Sequence, residues 1–295
     1  MNSVRVLTFF LVVATTWQAN QWALTTAIGQ GPPRQATLQE VEKTFGDPPG
    51  AVRLDPTDRV WADKKNSRVI VDGYVALREG PLEMLACPVG TKEHESIVAT
   101  FCKAYTVHAG LLAVGAEQGQ PVQWQPVFRS PSGSEIQVIA LWRGKDGQKK
   151  NIDTRQWLRV VGTENEVLEH NFVFAGSVFW EDPDSGKKIY QAESGDLICV
   201  SNFSTATLDV PIESSKVNSG LMFMTFTERI PAVGTPVRLV LQVVNAATQA
   251  GNKGTEKVTE QATQKSTANQ SPAAQSKPDA AAPASEGLPT LPERK

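Results

Sequence analysis

The 295-residue chain is poor in cysteine and in histidine, with three of each. Cys87, Cys102 and Cys199 stand far apart with no CxxC among them, which excludes zinc-ribbon, thioredoxin and iron–sulfur spacings; no iron–sulfur cluster is expected. An odd number allows at most one disulfide within the chain. Each cysteine sits among Ala, Leu, Ile and Val, the setting of a small buried apolar residue. Excess charge of either sign is also missing. With 29 Lys+Arg against 31 Asp+Glu the net charge is −2, so no field favours nucleic acid or an anionic membrane surface. There is no phosphate loop, no GxGxxG and no GxSxG nucleophile elbow. Beyond the first residues no apolar run approaches the ~20 residues a membrane-spanning helix needs.

What is present begins with an export pattern. Arg5 precedes an apolar run, Val6 to Thr16, too short to span a bilayer comfortably, and Thr25-Thr26-Ala27 offers a small-x-Ala cleavage site. Residues 1–27 are therefore predicted to be a signal peptide and the chain secreted or periplasmic, with no membrane span after cleavage. Residues 28–57 carry five prolines and few apolar residues, and read as a linker holding a short helix that starts at the Thr37-Leu-Gln-Glu40 capping box. From 245 to 295 there is no Ile, Phe, Trp or Tyr, and the run is rich in Ala, Thr, Gln, Ser, Lys and Pro. Such a composition cannot bury enough apolar surface to offset the entropy of ordering, and a disordered tail is predicted.

The folded unit is residues 58–244, and it is strand-dominated. Arg68 to Leu77 and Glu135 to Trp142 alternate apolar and polar residues. Further strands are expected at Leu82–Cys87, Ile97–Phe101, Val173–Trp180, Leu197–Phe203, Thr207–Val210, Leu221–Thr227 and Val237–Val244. Arg78-Glu-Gly-Pro81 suggests a hairpin between the first two strands in sequence. Glu181 to Gly186 resembles a fragment of a calcium loop, yet strands flank it, so it reads as a hairpin turn, as does Arg143 to Gly147. Ala104 to Val114 alone has helical spacing, with Gly115 where a C-terminal cap belongs. The expected fold class is α+β and β-dominated: a single, mostly antiparallel sheet with one packed helix. Most of the tryptophans are expected in the core or at its edge, since no aromatic ladder appears.

Chemistry concentrates at CPVGTKEHES, residues 87 to 96. On a strand, His94 and Ser96 would share one face with Glu95 on the other; at i, i+2 their Cβ atoms lie ~7 Å apart, too far for a serine–histidine nucleophile pair. The stretch is not HExxH, because Val98 stands where the second histidine belongs. The short Cys102-Lys103 connection folds the helix back over the sheet, so that His108 could approach His94, with Glu93 or Glu95 as a third ligand. Two imidazoles and a carboxylate with an open position form a known catalytic zinc set. Glu93, His94, Glu95, Ser96 and His108 are thus the candidate ligand-binding residues, and His94, Glu95 and His108 the candidate metal ligands. The competing reading is a core histidine and a polar strand entry. His170, the remaining histidine, lies in a polar loop.

Several blocks carry a resemblance: Arg68-Val-Ile-Val-Asp-Gly73, Leu82-Glu-Met-Leu-Ala-Cys-Pro88, Gly90-Thr-Lys-Glu-His-Glu-Ser96, Val107-His-Ala-Gly-Leu-Leu112, Val173-Phe-Ala-Gly-Ser177, Gly195-Asp-Leu-Ile-Cys199 and Gly234-Thr-Pro-Val237. Over residues 58–244 the chain resembles the YdjY-type domain of exported, planctomycete-type bacterial proteins, a functionally uncharacterised family. The resemblance implies export and draws attention to His94–Ser96 and His108 without assigning them a role. Three functions follow as expectations. The first is a non-enzymatic binding or assembly module whose partner is an envelope protein or a small ligand. The second is a metal-binding protein or metal-dependent hydrolase built on His94, Glu95 and His108. The third is a redox accessory protein using Cys87 and Cys102.

Overall fold

A computed structural model describes residues 34–214 and 220–244. The chain divides into two units, Met1–Val243 and Val244–Lys295, and the helices and strands named here belong to the first. The export segment 1–27 and the 245–295 tail lie outside the described residues. In chain order the elements are α1 (Arg34–Phe45), β1 (Val52–Arg53), β2 (Val60–Asp63), β3 (Arg68–Val75), β4 (Met84–Pro88), β5 (Ser96–Thr100), α2 (Ala104–Ala113), β6 (Glu135–Arg143), β7 (Lys149–Asp153), β8 (Leu158–Val160), β9 (Phe172–Val173), β10 (Phe179–Glu181), β11 (Lys188–Tyr190), β12 (Ile198–Cys199), β13 (Phe223–Thr225) and β14 (Pro236–Val243). Ten strands form one sheet in the order β12-β4-β5-β3-β14-β6-β7, with β2 also on β3, β1 on β2 and β9 on β6. All pairs are antiparallel except β4–β5. Among the described residues no helix is long and apolar enough to cross a membrane.

The apolar alternation of β3 and β6 sets the core. Val69, Val71, Val75, Ile136, Val138 and Ala140 are buried together with Val237, Leu239 and Leu241 of β14. Helix α2 lies on the Val69 side of β3. Gly110 makes that approach possible, since a Cβ there would stand 2.8 Å from Leu54 Cδ1 and 3.2 Å from Val69 Cγ2. The helix ends as its sequence predicts. Gly115 takes φ 90°, its N–H donates to the Leu112 carbonyl, and the Ala116 N–H donates to the Leu111 carbonyl, which satisfies two otherwise orphaned acceptors.

The opposite face of β3 is where the fold is fastened. Asp72, fully buried, faces Arg238 directly across the β3–β14 ladder. Arg238 donates from Nε to Asp72 Oδ1 at 2.6 Å and from Nη2 to Oδ2 at 3.0 Å, while Arg59 Nη2 reaches Oδ2 at 2.7 Å. Both guanidinium groups also donate to the Gly46 carbonyl just past α1, at 2.7 and 3.2 Å. Arg59 stacks over Trp61 at 4.6 Å and Arg238 over Phe45 at 4.9 Å. The segment read as a linker thus folds from residue 34 onward. The helix expected at Thr37 runs three turns, packs on β3 and β14, and is followed by β1 on the sheet.

Several local expectations change: the strand expected at Val173–Trp180 is split into β9 and β10, and Thr207–Val210 makes only isolated bridges. β3 and β4 do not form a hairpin, because β5 lies between them. The turn residues spend their hydrogen bonds elsewhere: Gly80 N–H donates to Thr225 Oγ1, Leu82 N–H to the Phe223 carbonyl, and Arg78 Nε to the Ile230 carbonyl. β4 is instead parallel to β5 through the short 89–95 connection. Residues 154–157 form a single 3₁₀ turn before β8. The turns expected at Arg143–Gly147 and Glu181–Gly186 do close the β6–β7 and β10–β11 hairpins. Trp61 and Trp157 are core residues, whereas Trp180 is 47% exposed.

Breaking a buried ion cluster by removing one partner costs ~3–5 kcal/mol, because charges are left uncompensated. Asp72→Ala, which strands two guanidinium groups, is expected to cost that much in urea unfolding at pH 7. A loss below about 1 kcal/mol, the typical range of an exposed ion pair, would show that the cluster is not a fastening point.

Candidate functional site

His94 is not on a strand. Glu93–Glu95 form a 3₁₀ turn before β5, so His94 points out, with its side chain 77% exposed and Nε2 3.7 Å from Glu95 Oε2. Glu93 Oε1 accepts the Gly90 N–H and closes the turn. Ser96 is fully buried at the start of β5. The residue that matters in this turn is Lys92. Its Nζ lies 2.9 Å from Asp196 Oδ1, 3.7 Å from Glu95 Oε1 and 4.5 Å from the centre of the Phe203 ring. Burial opposes the ammonium, but Asp196 and Glu95 prevail and hold its pKa above the ordinary lysine value.

His108, on the inner face of α2, is buried. Its ring meets Phe174 edge-on at 4.9 Å and Tyr190 at 5.3 Å, and Nδ1 is 2.9 Å from the Tyr190 hydroxyl. That hydroxyl donates to the Gly176 carbonyl at 3.2 Å and is 3.0 Å from Thr207 Oγ1. Burial pushes the His108 pKa down, against a smaller upward pull from the Gly176 carbonyl. The structure therefore brings His108 to Tyr190 and His94 to Glu95. It does not gather His94, Glu95 and His108: among the described residues no three His, Cys, Asp or Glu side chains group so as to hold a metal ion.

Both stretches converge on one short segment, residues 190–196, which sequence reasoning passed over. Tyr190 meets His108. Asp196 meets Lys92. Glu193 caps α2, accepting the Ala104 N–H at 3.2 Å and the Tyr105 N–H at 2.8 Å. Asp58 completes the cap from the other side, accepting the Lys103 N–H at 3.1 Å and Thr106 Oγ1 at 2.6 Å. Two carboxylates at a helix N-terminus match the positive end of its dipole. Nothing local in the sequence betrays Glu193, since the amides it caps are almost ninety residues away. The cavity beside this cap, about 410 Å³, is lined by Asp58, Thr100, Cys102, Lys103 and Glu193. Cys87, Cys102 and Cys199 are free and buried, and burial pushes all three thiols up. The Cys87–Cys102 pair is not joined.

Next to this segment the surface is aromatic. In the β10–β11 hairpin Phe179 faces Tyr190 and Trp180 faces Ile189. Phe179 is 53% exposed and lies edge-on to Tyr105 of α2 at 6.3 Å, and Tyr105 is itself half exposed. Val178, Trp180 and Ile189 are exposed as well. Successive residues of a strand point to opposite faces, so Phe179 lies on one side of the hairpin and Trp180 on the other. Among the described residues neither strand pairs with a third.

The model of the YdjY domain matches residues 60–242, which span every element from β2 to β14. The chain belongs to the YdjY domain family. The matched region holds the 190–196 segment, the aromatic hairpin and both candidate histidines, while α1 and β1 precede it. No curated protein and no solved structure matches the chain.

A second buried group bears on stability at this site of the YdjY domain. Asp209 has no exposed surface. Its Oδ1 accepts Asn202 Nδ2 at 3.0 Å and the Val210 N–H at 2.8 Å. Burial raises its pKa well above the ordinary carboxylate value, with Asp196 adding repulsion. The pH dependences of His108 and Asp209 have opposite signs. The folded imidazole binds protons less readily than the unfolded one, so its contribution is present above pH ~6.5 and is lost as pH falls. The folded Asp209 carboxyl binds its proton more readily, so its contribution is present below pH ~3.9 and is lost as pH rises through the raised value.

Paired variants separate the two. His108→Gln is expected to weaken the loss of thermal stability between pH 7 and pH 5 relative to the parent; an unchanged profile contradicts a neutral, buried imidazole. Asp209→Asn keeps the acceptor for Asn202 and Val210. It is expected to raise Tm at pH 8 and to leave it unchanged near pH 4, whereas a lower Tm at both would contradict the raised pKa.

Proposed function

We propose that this YdjY-domain protein is exported and acts in the cell envelope as a non-enzymatic binding module, with the β10–β11 hairpin as its recognition surface for another envelope protein. The observation that carries the reading is the hairpin itself. A two-stranded hairpin is marginal in water on its own, and this one exposes Val178, Phe179, Trp180 and Ile189 over both faces. Apolar surface concentrated in one place marks an interaction site, and aromatic residues are enriched in the anchors of protein interfaces. The hairpin is rooted in Tyr190, which His108, Thr207 and Gly176 hold in place. A fixed root lowers the entropy lost on docking. Export is supported by the Arg5 and Val6–Thr16 pattern.

The test is fractionation of cells carrying the tagged full chain, followed by native size analysis of the envelope fraction. The parent is expected in a species larger than the monomer. Phe179→Ser with Trp180→Ser is expected to reach the same compartment as a monomer, with stability changed by no more than ~1 kcal/mol because both side chains are half exposed. Recovery in the cytoplasm, or a complex indifferent to the double variant, contradicts the reading.

A further inference from the structure

The β10–β11 hairpin offers backbone groups as well as side chains. Phe179 lies opposite Tyr190, Trp180 opposite Ile189 and Glu181 opposite Lys188. The Gln191 N–H donates to the Val178 carbonyl and the Asp182 N–H to the Lys187 carbonyl. Along an antiparallel ladder, hydrogen-bonded pairs alternate with non-hydrogen-bonded ones. Trp180 and Ile189 are therefore the bonded pair between those two, and the N–H and C=O groups of Phe179 and Glu181 point away from β11. Among the described residues no other part of the chain meets these groups. An open row of N–H and C=O groups is a template for a further strand.

The two edges of the hairpin are not alike. β11 carries Lys188 and ends at the buried Tyr190. Lysine on an edge strand is a common device against unwanted pairing. The large sheet guards its β7 edge in the same way, with Lys149 and Lys150. β10 has no lysine. All three of its residues are exposed, as is Val178 before them, and Glu181 is the one charge among the four. Asp182 and Asp184 follow, so this end of the edge is acidic. Among the described residues none of the three carboxylates has an ion pair within 4 Å, although Glu181 stands opposite Lys188. Phe179, Glu181 and Lys188 share one face of the hairpin and line a cleft of about 400 Å³.

From this edge we propose that the partner docks by adding a strand to β10. The added strand is an extended segment of another envelope protein, with apolar side chains beside Phe179 and Trp180 and a lysine or arginine beside Glu181. The inference rests on the recognition role of the hairpin given above and states how that recognition is made. The outward N–H and C=O groups of Phe179 and Glu181 supply main-chain hydrogen bonds, which give affinity whatever the partner's sequence. Alternate side chains of the added strand supply the selection. Those beside Phe179 and Glu181 enter the cleft, and the one between them lies on the Trp180 face. A third strand also completes the hairpin, since two strands alone are marginal in water.

Proline tests the edge directly, because it removes one N–H and is tolerated on edge strands. Glu181→Pro removes an outward donor of β10, and Lys188→Pro the equivalent donor of β11. Neither touches the hairpin's own bonds, and slow hydrogen exchange at the Asp182 and Gln191 amides checks that the hairpin survives. The readout is native size analysis of the envelope fraction from cells carrying the tagged full chain. Glu181→Pro is expected to deplete the larger species about tenfold or more, as loss of a buried backbone contact implies. Glu181→Gln, which keeps the N–H, is expected to deplete it about threefold, the scale of an exposed ion pair. Lys188→Pro is expected to leave it unchanged. In the parent, the Phe179 and Glu181 amides are expected to exchange slowly in the complex and fast in the monomer. Fast exchange in both overturns strand addition, with no variant needed. A complex that survives Glu181→Pro but is lost with Phe179→Ser and Trp180→Ser also overturns it, and leaves the hairpin as a surface that docks through side chains. Loss with Lys188→Pro overturns the choice of edge, and indifference to Glu181→Gln overturns the basic partner. A complex that survives every variant overturns both this inference and the hairpin reading.

Discussion

The Asp72 carboxylate, sealed in the middle of β3 between two arginines, is the constraint on which the rest of this structure depends. A lone charge at that depth would be prohibitive. Paired on both oxygens, it ties β3 to β14 on one side and to the start of β2 on the other. The same guanidinium groups hold the Gly46 carbonyl, which brings α1 down on the sheet. A buried cluster of this kind adds little over a well-packed apolar core and is costly to break. Its effect is to select one arrangement of the N-terminal segment from the many a proline-rich stretch could adopt.

A second centre, residues 190–196, links the two stretches that carry most of the polar chemistry. Tyr190, Glu193 and Asp196 reach His108, the α2 N-terminus and Lys92 in turn. The polar run at 87–96 is therefore not a loose strand entry. Lys92 docks it to the body, and His94 is left outside as an exposed side chain of the turn. The same segment roots the aromatic hairpin, so whatever docks on Phe179 and Trp180 presses on a part of the fold connected to both β4–β5 and α2.

Much of this could be read from the sequence where the signal is local. The alternation of β3, β6 and β14 follows from one residue and its second neighbour. The α2 boundary follows from apolar spacing and the left-handed backbone that Gly115 accepts. The β6–β7 and β10–β11 turns follow from Gly147 and Gly186. What was not legible depends on residues distant in the chain. The 78–81 turn suggests a hairpin until β13, far downstream, takes its hydrogen bonds. Glu193 carries no mark of a helix cap. The reading of His94 with His108 as neighbours depended on His94 being on a strand, and one 3₁₀ turn removes it. Trp180 shows the same limit, because the end of an apolar strand looks alike whether a sheet covers it or solvent does.

The most direct measurement is site-specific photocrosslinking in living cells, with benzoylphenylalanine in place of Trp180 and, as a control, in place of Val127, another exposed apolar position. A recognition surface on the hairpin predicts one discrete, light-dependent adduct from position 180 in the envelope fraction and none from position 127. No discrete adduct from position 180, or the same adduct from both positions, would contradict it.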